Sequence, residues 1–250
     1  MGGGTHNYFL LFEEDGTYFA TFNQNGGSGW GLRDLTCDGT YMYGSLSTAI
    51  DYYDIGTRIK VGSFTGPQNP NRALAWDGTH FYTGNFGREV YRLTWNGVSG
   101  STATSTVWST AATSVYGAAW DEINDCMWVT SSDASGIVAE INEDGTLVQN
   151  HILVSGGIYG GACMGTSTGC IGTLWILVQT PSDILGGYEV YPTALGRDTW
   201  GAIKAVFQTP RFSRTDGRPG SCCSSDDSNK DTMTVIEAGD VDTGSLWAYR

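Results

Sequence analysis

Charge is scarce in this chain. Only 16% of its 250 residues are Asp, Glu, Lys or Arg, and 13 basic against 26 acidic side chains leave a net charge of −13. A polyanion or an anionic lipid surface would be repelled over most of such a surface, so nucleic acid is not expected as a partner. No run of 18 or more apolar residues occurs, so no helix is expected to insert into a membrane. The Met1-Gly2-Gly3-Gly4 start lacks the basic and apolar regions of an export leader, and His6 breaks the myristoylation pattern. Reactive signatures are equally sparse. The three histidines, His6, His80 and His151, are scattered, and there is no phosphate-cradling loop and no C-x-x-C. None of the 11 Asn stands in an N-x-S/T sequon.

What is abundant is glycine, with 36 residues, together with 12% aromatics including 9 Trp and 13 Tyr. That is too apolar and aromatic for a disordered chain, and it implies a packed fold with many turns. The six cysteines are an even count without a neighbouring His pair, which disfavours zinc and permits disulfides in an oxidising, extracellular setting. Cys163 and Cys170 flank a short Gly/Ser/Thr-rich turn that a bond between them would staple, and the adjacent Cys222 and Cys223 can pair with each other or elsewhere. Cys37, Cys126 and Cys163 read equally well as small buried hydrophobes.

A repeat organises the chain. Arg33-Asp34-Leu35-Thr36-Cys37-Asp38-Gly39-Thr40-Tyr41-Met42-Tyr43 aligns with Arg72-Ala73-Leu74-Ala75-Trp76-Asp77-Gly78-Thr79-His80-Phe81-Tyr82, 39 residues later. A third copy runs from Tyr116-Gly117-Ala118-Ala119-Trp120-Asp121 into Cys126 to Thr130, and a fourth from Tyr159 to Cys163 into Leu174 to Leu177, with Met164 at the place of the turn Asp. Each copy continues into a third and a fourth apolar strand, and four short strands per unit is the pattern of a propeller blade. No segment shows a sustained 3.6-residue apolar period, so the expected class is all-β.

The ends look like halves of one further unit. Tyr8 to Phe12, Asp15-Gly16-Thr17 and Tyr18 to Phe22 resemble the third and fourth strands of the third copy, while Thr232 to Ile236 and Ser245 to Tyr249 read as first and second strands. The expectation is one propeller domain over 1–250, with blades at about 30–70, 72–113, 116–156 and 158–207. A composite blade joins 232–250 to 5–25, and an irregular insertion occupies about 208–231. That gives five blades of four antiparallel strands, or six if the last two strands are second and third.

The phrase R-x-L-A-x-D-G-T-x-x-Y, carried by Arg33, Leu35, Asp38-Gly39-Thr40 and Tyr43 and again by Arg72, Leu74, Asp77-Gly78-Thr79 and Tyr82, resembles the blades of secreted bacterial β-propeller repeat proteins. The resemblance spans about residues 5–207 and implies the scaffold; propellers of this kind serve lectins, hydrolases, lyases and scaffolding modules alike.

Candidate functional residues fall into three groups. The Asp-Gly-Thr turns at 15–17, 38–40, 77–79 and 144–146 are read as hairpin chemistry, because Gly takes φ > 0 at no steric cost. Trp30, Trp95, Trp108 and Trp200 do not fit the repeated core positions and are candidates for stacking on a sugar. Asp227, Asn229 and Asp231, followed by Asp240 and Asp242, have the alternating oxygen ligands that suit calcium, although Thr232 and Ala238 stand where an EF-hand-like loop has Gly and Glu. Calcium is thus the one cofactor that the sequence suggests. For catalysis, Asp34, Asp38, Asp77, Asp121 or Glu237 can approach a central channel, but no pair stands out as a glycosidase couple. The reading is a non-catalytic extracellular or cell-surface propeller working through contacts, with itself as a surface or filament subunit, or with another extracellular protein or glycan. The alternative is a glycan-active propeller, lectin or hydrolase, with its pocket at the channel mouth.

Overall fold

The computed structural model describes residues 7–12, 17–24, 31–45, 47–109, 114–131, 137–152, 160–167, 170–178, 184–190, 235–237 and 245–247. Among these every regular element is a strand: β1 Tyr8–Phe12, β2 Tyr18–Asn23, β3 Leu35–Cys37, β4 Tyr41–Ser45, β5 Ala49–Asp54, β6 Lys60–Thr65, β7 Ala73–Trp76, β8 Phe81–Gly84, β9 Glu89–Thr94 and β10 Thr104–Ser109. The second half holds β11 Val115–Asp121, β12 Cys126–Ser131, β13 Ile137–Asn142, β14 Leu147–Ile152, β15 Ala162–Ser167, β16 Cys170–Val178, β17 Ile184–Glu189, β18 Val235–Glu237 and β19 Ser245–Trp247.

These strands form four four-stranded sheets, β3-β4-β5-β6, β7-β8-β9-β10, β11-β12-β13-β14 and β15-β16-β17-β18, and a three-stranded sheet β19-β1-β2. The four-stranded sheets are antiparallel throughout and are arranged as propeller blades, with β3, β7, β11 and β15 as neighbouring inner strands.

Strand alternation explains why both faces of each blade are apolar. In the second blade Leu74, Phe81 and Leu93 pack against Tyr43, Ile50 and Phe64 of the first, whereas Ala73, Ala75, Tyr82 and Val90 pack against Val115, Ala118, Trp120 and Met127 of the third. Residues of opposite parity thus serve opposite neighbours, which is what a period of two demands when a sheet is covered on both sides. The third blade then turns Ala119, Cys126 and Trp128 towards Ala162, Leu174 and Ile176 of the fourth. Recurrent aromatics mark these seams. Tyr82 and Trp120 stack with centroids 5.6 Å apart and planes 4° from parallel, and Tyr43 meets Phe81 at 4.6 Å.

The three-stranded sheet lies between the fourth blade and the first. Its Leu10 and Phe12 pack with Cys163, Trp175 and Leu185, and its Phe9 and Phe22 with Leu32, Leu35, Met42 and Tyr53. Arg58, at the turn between β5 and β6, lays its guanidinium 5.6 Å from both the Phe19 and Phe22 rings.

The chain ends do share a sheet, but the composite arrangement expected from the sequence needs two corrections. First, β19 pairs with β1 in parallel, Phe9 opposite Ser245 and Leu11 opposite Trp247, instead of completing an antiparallel meander. Second, β18 does not join that sheet: it pairs with β17, Leu185 opposite Ile236, as the fourth strand of the fourth blade. Strands of three residues carry too little alternation to specify a partner, so their place follows from which open edge is near. The segment 202–207, expected to be that fourth strand, and the insertion at 208–231 lie outside the described residues.

Of the two readings of Cys163, the staple to Cys170 is not formed. The register sets Cys163 opposite Trp175 and Cys170 opposite Ser167, and Cys163 is a free thiol, as are Cys37 and Cys126.

Candidate functional site at the channel axis

The turn carboxylates come first, because the repeated phrase assigns them one job. Asp38 Oδ1 accepts the Thr40 and Tyr41 amides at 2.8 and 2.7 Å, while its other oxygen accepts the Tyr43 hydroxyl at 2.6 Å. Asp77 does the same with Thr79 and His80 amides, both at 2.6 Å, and with the Tyr82 hydroxyl at 2.7 Å. The intervening glycines, Gly39 at φ 88° and Gly78 at φ 95°, take the left-handed conformation the turn requires. In D-G-T-x-x-Y the acid therefore caps the turn with one oxygen and ties the second strand's Tyr with the other.

The longer third turn keeps the device with different atoms. Asp121 accepts the Ile123 and Asn124 amides at 3.0 and 3.1 Å, and the indole Nε1 of Trp128 donates to its Oδ2 at 3.1 Å. Burial pushes the Asp77 carboxyl up, but the His80 and Thr79 amides, the Tyr82 hydroxyl and the His80 ring together hold it below its ordinary value. The same burial and the Asp38 bond raise Tyr43.

Asp34 has a different role. It is fully buried, and its carboxylate receives backbone amides from all four inner strands: Leu35 and Ala162 at 3.1 and 3.2 Å on Oδ1, Leu74 and Ala118 at 2.8 and 2.9 Å on Oδ2. The four donors occupy equivalent places in their blades. Fixing Ala162 as the equivalent of Leu35, Leu74 and Ala118 puts Gly165 where the turn Asp stands, one residue past the Met164 of the sequence alignment. The residues equivalent to Asp34 itself are Ala73, Gly117 and Gly161. They are small of necessity: a Cβ built on Gly117 would stand 2.7 Å from the Gly161 Cα and 2.8 Å from the Ala162 nitrogen. One side chain fits on the axis, and it is Asp34.

Burial drives its pKa up to about 7, against the pull of the Leu74, Ala118, Ala162 and Leu35 amides. Immediately before these four positions stand Arg33, Arg72, Tyr116 and Gly160. The Arg72 guanidinium, only 4% exposed, lies 4.8 Å from the Tyr116 ring centroid and 5.3 Å from that of Phe86. Burial lowers Arg72 to about 10, Arg33 adds to that lowering, and Asp34 and Tyr116 oppose it. Burial lowers Arg33 as well.

Of the acids expected near the channel, Asp34 reaches the axis, Asp38, Asp77 and Asp121 hold turns, and Glu237 lies on β18 with its side chain outside the described residues. Of the aromatic candidates, Trp95 is half-buried and stacked on Phe64 with centroids 4.5 Å apart and planes at 14°. Its Nε1 donates to Val98 O at 3.1 Å and Ser101 Oγ at 3.0 Å, which fixes a loop that covers the edge of β6 through Gly100 N to Ser63 O and Thr65 N to Ser101 O. Trp108 belongs to β10, with its side chain outside the described residues, as are Trp30 and Trp200 altogether. The cation candidates Asp227, Asn229, Asp231, Asp240 and Asp242 also lie outside the described residues, among which no group of three or more metal-ligating side chains gathers.

A further buried acid is not among the residues that the sequence singles out. Glu140 Oε2 lies 3.1 Å from His151 Nε2 within the third blade, and the His151 ring is 5.0 Å from that of Trp128. The signal was present as an acid and a histidine on adjoining strands, two residues off direct register.

No family model matches the chain, and no curated protein matches it. Among solved structures, the chain is similar to one in the crystal structure of the mitotic checkpoint complex, at 12% identity and a TM-score of 0.46. The match covers 72% of this chain and 61% of that one.

Proposed function

We propose that the chain is a non-catalytic propeller that works through surface contacts, outside the cell, as an assembling subunit or a binding module. The observation that carries this reading is the state of the axis. A glycosidase needs two carboxylates facing a substrate space, one able to give a proton and one to attack or activate water. Here the axial carboxylate has both oxygens occupied by strand amides, and the turn carboxylates nearest to it in sequence are committed to amides and aromatic donors. Acid chemistry is used to hold the blades together.

Surface features support a contact role. Tyr18 and Phe19 on β2 are 55% and 54% exposed, Arg58 lies against the Phe19 ring, and Ile59 and Val61 of the first blade are exposed as well. Exposed large apolar side chains of this kind are candidates for a contact surface. The blade phrase shared with secreted bacterial propellers supports the extracellular setting, and the three-stranded sheet is read as the fifth blade. The partner is a further copy, another extracellular protein or a glycan, and the glycan-active alternative draws on the same exposed aromatics.

Sedimentation of the full chain over a wide concentration range, with a glycan array and a polysaccharide hydrolysis panel, tests the proposal. Concentration-dependent association that weakens in Phe19→Ser, or array binding without turnover, is the expected result. Hydrolysis of any glycan would overturn it, as would a monomer at all concentrations that binds neither glycan nor protein.

A further inference from the structure

The seam between the first and fourth blades holds two thiols. On β3, Cys37 pairs across the sheet with Met42 and shares a strand face with Leu35, and both of those residues pack against Phe9 and Phe22 of the three-stranded sheet. On β15, Cys163 pairs with Trp175, and both face Leu10 and Phe12 of the same sheet. Cys37 therefore looks backwards from the first blade and Cys163 forwards from the fourth, into one gap. At its inner end the gap is narrow. β3 and β15 are in contact, and the Leu35 and Ala162 amides share a single oxygen of Asp34. Cys37 is two residues beyond the first of these donors and Cys163 one beyond the second. Nothing of the kind occurs at Cys126, which is enclosed in the seam between the third and fourth blades.

We infer that Cys37 and Cys163 form a disulfide across this seam when the protein meets a small-molecule disulfide oxidant, locking the first blade to the fourth. Both thiols are partly exposed, and Cys37 borders the exposed Asp38-Gly39-Thr40 turn, so the first attack is assigned to it. The Cys37 thiolate attacks one sulfur of the oxidant, such as oxidised glutathione, and the other sulfur leaves as a thiolate. The Cys163 thiolate then attacks the Cys37 sulfur and expels the second glutathione thiolate. Two thiol protons are lost, two electrons pass to the oxidant, and one S–S bond replaces another. Burial raises the Cys163 thiol well above its ordinary value, with Asp34 and Cys37 adding to the effect, so the second step is the slow one and quickens as pH rises.

The bond would close a long stretch of chain, and cross-links over long loops constrain the unfolded state most. It stands apart from the proposed function, because it is tested on purified protein. The full chain carrying Cys170→Ser, Cys222→Ser and Cys223→Ser is incubated with oxidised glutathione, digested without reduction and read by mass spectrometry. The expected result is a linked pair of peptides containing Cys37 and Cys163, with a melting temperature raised by roughly 5 to 10 °C over the reduced protein. Adding Cys37→Ser or Cys163→Ser removes both the linked peptides and the rise. Near-ultraviolet circular dichroism establishes that each variant is folded, and Cys163→Ala replaces Cys163→Ser if the hydroxyl is not tolerated. Separate glutathione adducts on Cys37 and Cys163 of the folded protein, or two thiols that stay fully alkylatable after oxidation, would overturn the inference.

Discussion

Raising the pH through neutrality should loosen this fold in a way that traces to one residue. In the unfolded chain an Asp titrates near its ordinary value of about 3.9, whereas buried Asp34 titrates at about 7. The native state therefore holds a proton that the unfolded state has already released, and between these limits stability falls as pH rises. The gap of about 3 pH units corresponds to roughly 4 kcal/mol, present in full below about pH 4 and lost as pH rises through 7. The slope cannot exceed about 1.4 kcal/mol per pH unit from this one group. The charged neighbours do not blur the window: Arg72, lowered only to about 10, stays cationic throughout, and the Cys163 thiol, raised by its burial, stays protonated. Asp54, Asp77 and Asp144 act in the opposite sense, since their pKa values are lowered and their stabilisation is lost only as the medium becomes acidic. The assay is urea unfolding followed by tryptophan fluorescence at pH 5, 6, 7 and 8, on the wild type and on Asp34→Asn. The wild type should lose stability over this range relative to the variant, whose amide cannot ionise. Parallel pH profiles for the two proteins, or a wild type that gains stability on the Asn variant as pH rises, would refute the assignment.

Two further predictions rest on single contacts. Asp77→Ala removes the acceptor of two turn amides and of the Tyr82 hydroxyl, and should cost about 2 to 4 kcal/mol in the same urea experiment, whereas a loss under 1 kcal/mol would mean the turn holds itself. Trp95→Ala strips the stack on Phe64 and frees the loop over β6, so it should cost about 3 kcal/mol and raise hydrogen exchange at Thr65 and Gly100, while an unchanged stability would return Trp95 to the role of a surface aromatic.

Much of the architecture could be read from the chain because its repeat carries its own mechanism. Asp38, Gly39 and Tyr43 recur as Asp77, Gly78 and Tyr82 since each turn needs the same cap, the same left-handed residue and the same donor. Apolar runs such as Ala73 to Trp76 recur because both faces of a blade are covered. The axial acid was harder to single out. Asp34 appeared among several acids able to approach the channel, and only the positions equivalent to it, Ala73, Gly117 and Gly161, set it apart as the large residue among small ones. Trp95 looked like a turn aromatic because its partner Phe64 belongs to another blade, and contacts between blades leave no local pattern. The partners of β18 and β19 escaped for a related reason, as three residues contain barely one full alternation.

The lone carboxylate shared by four strands also bears on any attempt to rebuild this protein from identical units. A consensus copied from the first repeat would crowd several like charges onto a line with room for one, and a consensus copied from the second would leave inward-pointing amides with no acceptor. Symmetry in the strands thus requires asymmetry at their centre. A shuffled order of units should be tolerated only if one of them, and no other, brings the acid.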